Sequence, residues 1–497
     1  MNGIQSIQPT DDELAQRLDA ELEPGPTREL RLRIEPDRFP GAVRQLHETS
    51  ARFVTMFVTA TPDQTLTGVF ALHGQLLLLR APATPDTPLP DDRIGNWWPS
   101  VAWAERELHE REALPAARPH ERLLTRPDAD RLDRTVSGLD VFTIPYGPVR
   151  SGIFEAIQFQ IETGGEDVPR LQTRPFFKHR AIEARFAGLR PDVAVHVAER
   201  VAGIASNAYA SAFAHAVERA LDVTPPARAR SWRALYCELE RMACHLDVIA
   251  KEAETTALYV GQARFQILKE RVQRLRARLT GSRFGRGVIV PGGVRCDGMI
   301  DLDEIHDALD ELERDLARDR RLFLGTASMT DRLIGGGHLP RELVERYGAV
   351  GPVARGSGLS TDARHERPYG DYDRLGIRVV VHREGDAMAR INVRFGELSE
   401  SLRISRQVVD HLRRRDGDLL VGLPPHGTGA ACGWAEAPQG ELLIWVELAD
   451  GVVGRVHIAS PSLRNWALFD QAFPKDVLTD FAFIEHSFGL TPAGADR

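Results

Sequence analysis

A chain of 497 residues that is 42% hydrophobic and 27% charged has the composition of folded globular protein, is long enough for two or more domains, and is not intrinsically disordered in bulk. Its 63 Lys and Arg against 71 Asp and Glu give a net charge of −8, which removes any general attraction to nucleic acid or anionic lipid. Four cysteines, Cys237, Cys244, Cys296 and Cys432, form no CxxC pair, which argues against a cysteine-held metal or cluster.

The opening MNGIQSIQPTDDELAQ is polar and acidic where a signal peptide is basic and then apolar, and no later run reaches the roughly 18 apolar residues of a membrane span. A cytoplasmic chain is expected, with membrane association only through partner subunits. Residues 1–27 read as a tail. From 28 to 112, strand-like runs at 53–59 and 68–79 alternate with a helix-like 97–112, the pattern of a small α/β domain. Residues 113–140, rich in Pro, Arg and Asp without periodicity, read as a linker. The second domain, 141–497, opens on a hairpin signal. Ile157, Phe159 and Ile161 alternate with Gln158, Gln160 and Glu162 ahead of Gly164 and Gly165, which predicts one buried face and one wet one.

Between 192 and about 279 the period becomes helical, and the small residues Ala202, Ala205, Ala208, Ala210 and Ala212 would let another helix pack closely. Further helices are expected at 302–322, 340–347 and 395–414, and a second hairpin over 441–458 turning at Asp450 and Gly451. The class is α+β.

Signals for chemistry are sparse. The segment GRGVIVPGGV (285–294) has the wrong spacing for a phosphate loop, no HExxH or GxSxG occurs, and His109, His179, His196, His215 and His245 form no ligand set by spacing. The basic run from Lys269 to Arg286 lacks interleaved aromatic residues and reads as a solvated helix face rather than a nucleic-acid stripe. Cys237 and Cys244, seven apart on one helix and therefore about 10 Å apart, are too distant for a disulfide and read as buried free thiols rather than zinc ligands beside His245. Glu240 and Cys244 share a helix face while Glu240 and His245 do not; a buried Glu240 reads as the partner of an arginine before it reads as a proton relay.

Seven stretches carry a family resemblance, in chain order: WWPSVAWAERELHE (97–110), GPVRSGIFEAIQFQIETGGEDV (147–168), FFKHRAIEARF (176–186), ELERMACHL (238–246), LTGSRFGRGVIVPGGV (279–294), GPVARGSGLSTDARHERPYGDYD (351–373) and GELSESLRI (396–404). They resemble the large subunit of energy-converting, formate hydrogenlyase-type NiFe hydrogenases, in which a respiratory complex I C-like domain is fused to a D-like one. The resemblance implies a small α/β domain, then a mainly helical, hydrogenase-large-subunit-like domain with β-hairpins. It also implies an iron–sulfur small subunit holding the Fe–S clusters, antiporter-like membrane subunits as partners, and a peripheral place on the cytoplasmic face of the inner membrane.

The departures from the family pattern concern its metal. Hydrogenases of this type hold nickel and iron through two CxxC pairs, and Ala202 and Ala205, then Thr491 and Gly494, stand at those four positions. Without thiolates, no cofactor is expected in this chain. Tyr209 replaces the histidine that usually follows the first pair, while the histidine-bearing loop of the quinone-reducing branch is shortened to Gly147–Gly152 with no histidine, and Gly203 falls at that branch's tyrosine. What the resemblance leaves is a polar framework of His179, Arg180, Glu183, Arg200, Tyr209, Glu240 and His245. Glu183 is the counterpart of a proton carrier, or else the partner of Arg180 or Arg200 in a salt bridge. The implied role is a subunit passing electrons to a quinone-like acceptor or coupling protons. The alternative is a non-catalytic scaffold that keeps the fold and docking surfaces.

Overall fold

The computed structural model describes residues 10–59, 64–83, 95, 97–112, 141–150, 155–295 and 301–497, the side chain of His109 excepted. The whole linker 113–140 and Cys296 therefore lie outside the described residues. The chain divides into two compact units, Met1–Pro127 and Asp128–Arg497.

In the first unit a mixed five-stranded sheet runs in the order Glu21–Glu23, Glu29–Arg33, Gln75–Pro82, Thr65–Leu72, Arg52–Thr59. Glu29–Arg33 pairs parallel with Gln75–Pro82 and every other pair is antiparallel. The helices Phe39–Glu48 and Val101–Glu112 supply Val43, Leu46, Val101 and Leu108 to the core beneath it. Two expectations change here. The run 68–79 is not one strand: His73 and Gly74 both take positive φ and fold it into a tight hairpin, whose two central residues need that conformation. Residues 11–23, read as tail, form a helix and the edge strand of the sheet. The helix starts at a capping box in which Thr10 and Glu13 satisfy each other's backbone N–H groups.

The second unit is built on long helices: Ser206–Ala220, Ala227–Thr255, Tyr259–Thr280, Leu302–Leu324 and Ala387–Arg413. The helical pattern over 192–279 is thus four helices, counting Pro191–Ala198, with breaks at Pro225-Pro226 and near Leu258. Two three-stranded antiparallel sheets flank them. In Phe142–Tyr146, Gln158–Thr163, Arg170–Arg174 the central strand is buried on both faces, with Gln160 and Glu162 as well as Phe159 and Ile161 inside, so the expected wet face is absent. The other sheet contains the expected hairpin, Gly440–Ala449 and Val452–Ala459, plus Gly429–Ala437 on its edge.

That edge strand adds to the reading of the alanine stretch. Besides helices, a strand lies against Ser206–Ala220, so close that a Cβ on Gly433 would sit 2.2 Å from the Ala212 carbonyl oxygen and 2.3 Å from the Ala216 nitrogen. Small residues on the helix face and a glycine on the strand are both needed for two backbones to meet. The basic run behaves as read, with Arg271 paired to Asp315, Arg278 to Glu304 and Arg274 and Arg283 to Glu270. Arg276 is the exception, being buried.

Candidate functional site

The two segments in which the family pattern carries its metal ligands come together. Ala202 and Ala205 precede the helix Ser206–Ala220, Thr491 precedes and Gly494 lies within the one-turn helix Pro492–Ala495, and all four are buried. Arg180 fastens them: its guanidinium donates to the Val201 carbonyl at 2.6 Å and to the Ala493 carbonyl at 2.7 Å. Thr491 donates its hydroxyl to the Glu155 carboxylate at 2.7 Å, and the Ala493 N–H reaches the same group at 3.1 Å. A Cβ on Gly494 would lie 2.8 Å from Ser460 Oγ, so this wall is filled as well. A nickel–iron centre needs soft thiolates that bridge two metals, and an Ala, an Ala, a Thr and a Gly offer at most one hydroxyl, already bonded. These residues do not fit the group.

The polar framework is placed as follows. Tyr209, in the first turn of its helix, is 2% exposed and donates to Ser460 Oγ at 3.2 Å; burial pushes its phenol up to about 12, against the pull of Arg497 and Arg180 nearby. Glu183 opens the short helix Glu183–Phe186 and is buried. Its carboxylate accepts the Ile458 N–H at 2.7 Å and faces Arg497 Nε and His457 Nδ1, each at 3.5 Å. Both partners come from the end of the chain and the last strand, which spacing in the sequence does not connect to residue 183. Arg200 points outward, its side chain 54% exposed, and donates to the His196 carbonyl at 2.6 Å. It is no part of the site. His179 is half-buried in the loop whose neighbours Lys178 and Arg180 both donate backbone N–H groups to Asp496. Burial raises the Asp496 carboxyl to about 6 although it accepts the Phe176 N–H at 2.6 Å.

Glu240 has a second job beside the expected pairing with an arginine. The helix Ser206–Ala220 begins after Ala205, which has no side chain to cap it, and Glu240 reaches across to accept the N–H groups of Asn207 at 2.8 Å and Ala208 at 3.0 Å. A carboxylate at a helix N-terminus satisfies orphan donors and meets the positive end of the dipole. Arg276 Nη2 stands 3.4 Å from the same carboxylate, so the expected arginine partner is present as well.

His245 leads to the largest feature missing from the sequence reading. The helices Ala227–Thr255 and Ala387–Arg413 run antiparallel, and the stripe where they meet is polar and fully buried: Glu238, Arg241, His245 and Glu252 face Arg390, Arg394, Glu397 and Ser401. Glu238 accepts from Ser401 at 2.7 Å, Tyr372 at 2.8 Å and Arg364 at 3.0 Å. Arg355 joins Glu397 at 2.8 Å to Glu436 at 2.9 Å. Burial alone would raise the Glu397 carboxyl, yet Arg355 and His245 hold it well below the usual range. Glu252 differs: neither oxygen has a hydrogen-bond partner among the described residues, and burial pushes its carboxyl well up despite Arg390 and Arg394. Next to this stripe, Cys237 meets Ser211 Oγ and Cys244 accepts from Gln439.

The imidazole of His245 accepts from Arg394 Nη1 at Nδ1, 3.1 Å away, so its proton is on Nε2, which donates to Glu397 at 2.8 Å. Burial, opposed by Glu397, lowers its pKa to about 4. An unfolded imidazole takes its proton near 6.5, so as pH falls the unfolded state gains it first. The contribution is present above pH 6.5 and lost on the way down to 4, a matter of roughly 3 kcal/mol. Gln at 245 can accept from Arg394 and donate to Glu397 without titrating. The His245→Gln protein should therefore show a flatter unfolding free energy between pH 6.5 and 4 than the parent in urea titrations; parallel profiles would refute this placement of the proton.

Known proteins resemble this chain along most of its length. Residues 253–426 match the family described as respiratory-chain NADH dehydrogenase, 49 Kd subunit. The carbon monoxide-induced hydrogenase of Rhodospirillum rubrum is 30% identical over 70% of this chain and 97% of its own length. Formate hydrogenlyase subunit 5 of Escherichia coli K12 is 28% identical, over 83% of this chain and 77% of that protein. Among solved structures, a chain of the membrane-bound sulfane sulfur reductase, an archaeal respiratory membrane complex, superposes with a TM-score of 0.68 at 26% identity, covering 72% of this chain and 99% of that one. Among the described residues no helix is long and apolar enough to cross a membrane.

Proposed function

The chain belongs to the family that unites the large subunits of membrane-bound hydrogenases with their counterpart in NADH-quinone oxidoreductase, and from that membership we propose that it is a nickel-free subunit of a membrane-associated, complex I-like oxidoreductase assembly that couples protons rather than handling hydrogen. One observation carries the nickel-free part: Ala202, Ala205, Thr491 and Gly494 are packed shut, with Arg180 bonded to a carbonyl on each side. The buried charged stripe from Glu238 to Glu252 supports the proton part, because groups whose pKa values are driven apart inside one protein are those that can hold and pass protons. In this reading the chain docks, on the cytoplasmic face of the membrane, against an iron–sulfur small subunit that carries the Fe–S clusters and against antiporter-like membrane subunits. A quinone-like acceptor is the other role within the same assembly; it would have to part Thr491 from Glu155 to approach Tyr209. That a subunit of similar fold serves in a sulfane sulfur reductase fits a site free of hydrogen chemistry.

The closure of the site also favours a second reading, a scaffold that retains fold and docking surfaces only. Mild-detergent purification of the tagged native protein from its own membranes should recover an iron–sulfur subunit and antiporter-like subunits, with iron and without stoichiometric nickel. Recovery alone and without iron would end the assembly reading; stoichiometric nickel would end the nickel-free one. Glu183→Gln, which can still accept the Ile458 N–H, separates the remaining two. Proton-coupled acceptor reduction by the purified assembly should fall about 100-fold if Glu183 moves protons, and stay unchanged in a scaffold.

A further inference from the structure

Away from that site, a cavity of about 200 Å³ lies between the helix Ser206–Ala220, the start of the helix Ala227–Thr255 and residues 369–372. Its charges do not cancel. Glu218 is taken up by Arg233 at 2.5 and 3.0 Å and by the Gly292 N–H at 2.8 Å. Asp371 is taken up by Arg415 at 2.8 Å and Ser231 at 3.0 Å. Arg230, on the rim, has no carboxylate partner among the described residues: Nη1 reaches only the Gly370 carbonyl, at 3.4 Å, and Nε is buried with no acceptor. A guanidinium without a carboxylate partner can take one from a ligand through its outer nitrogens, and the fork of an arginine suits a carboxylate.

The rest of the lining specifies the ligand's body. The Tyr369 ring is stacked on the His215 imidazole, centroids 6.0 Å apart and 26° between planes, giving one wall a flat aromatic face. A pocket of about 150 Å³ holds a benzene ring, so this one holds a single ring with small substituents. We propose that the cavity is a binding site for a one-ring aromatic carboxylate, its carboxylate on Arg230 and its ring along Tyr369 and His215. This site is independent of the closed metal position and of the reading given above.

Calorimetric titration of the full chain with benzoate, phenol and inorganic phosphate tests it. Benzoate should bind saturably with a Kd below about 1 mM, and phosphate should not bind. Arg230→Met, a change at a half-exposed position on the rim, should weaken benzoate by about 10-fold or more while leaving phenol unchanged. Ala234→Phe, which fills the cavity, should abolish both; a lowered melting temperature there is judged against Arg230→Met, which keeps the test decisive if the filled variant fails to fold. Absence of saturable benzoate binding, equal benzoate affinity in the parent and Arg230→Met, or phosphate binding as tight as benzoate would each overturn the proposal.

Discussion

Arg355→Met should lower the stability of the larger unit by about 3 to 5 kcal/mol, the range for removing one partner from a buried ion pair. Methionine keeps an unbranched apolar stem and removes the guanidinium with its charge. Arg355 is fully buried and donates to Glu397, Glu436 and the Thr361 carbonyl, so its loss leaves two carboxylates inside the protein without their main counter-charge. Burial, with Asp362 beside it, has already raised Glu436 to about 7 in the presence of the arginine. Without it the folded state must bind protons to relieve the repulsion. A folded pKa above the unfolded one gives stability below the unfolded pKa that is lost as pH rises, so the variant's deficit in urea unfolding should be larger at pH 8 than at pH 5. Adding Glu436→Gln should restore part of the loss. A double variant no more stable than the single one would show that the pair is not coupled as the distances imply.

Gly433→Ala should cost about 3 kcal/mol, at the upper end for overpacking, because the new methyl meets backbone atoms that cannot rotate away. Gly454→Ala, in the same sheet, provides the control: its Cβ would come no nearer than 3.7 Å to any atom, and the change should stay under about 1 kcal/mol. Thermal unfolding of both variants side by side decides the matter. If they melt together, the contact between Gly429–Ala437 and Ser206–Ala220 is looser than the geometry has it.

The architecture was legible wherever one period dominated. The hairpin turning at Asp450 and Gly451 and the helices near 302–322 and 395–414 stand where expected, since apolar spacing and turn residues agree there. The buried stripe was not legible, for a physical reason. Glu238, Arg241, His245 and Glu252 recur at the spacing of a helix core face, as do Arg390, Arg394, Glu397 and Ser401 on the facing helix. A charged residue is read as solvated unless its partner is known, and here each partner lies far away in the sequence. The site was half legible. The segments holding Ala202 and Thr491 could be named from the family resemblance, whereas the bolt through Arg180, the partnership of Thr491 with Glu155 and the approach of Arg497 to Glu183 arise only when distant loops meet. The spacing of Glu240 and Cys244 hid what Glu240 does, because its target is the end of another helix.

The facing charges of the two long helices act as a vernier. Their register places Glu397 beside His245 and Glu238 beside Ser401. A slip of one turn, about 5.4 Å, would bring Glu397 against Ile249 or Arg390 against Val248, stranding a charge on a buried aliphatic side chain. Such a mismatch costs several kcal/mol, so the pair has no neighbouring notch to fall into. Any displacement reaching one helix is handed on to the other as a single rigid rod, and the second unit can transmit a push without absorbing it by sliding.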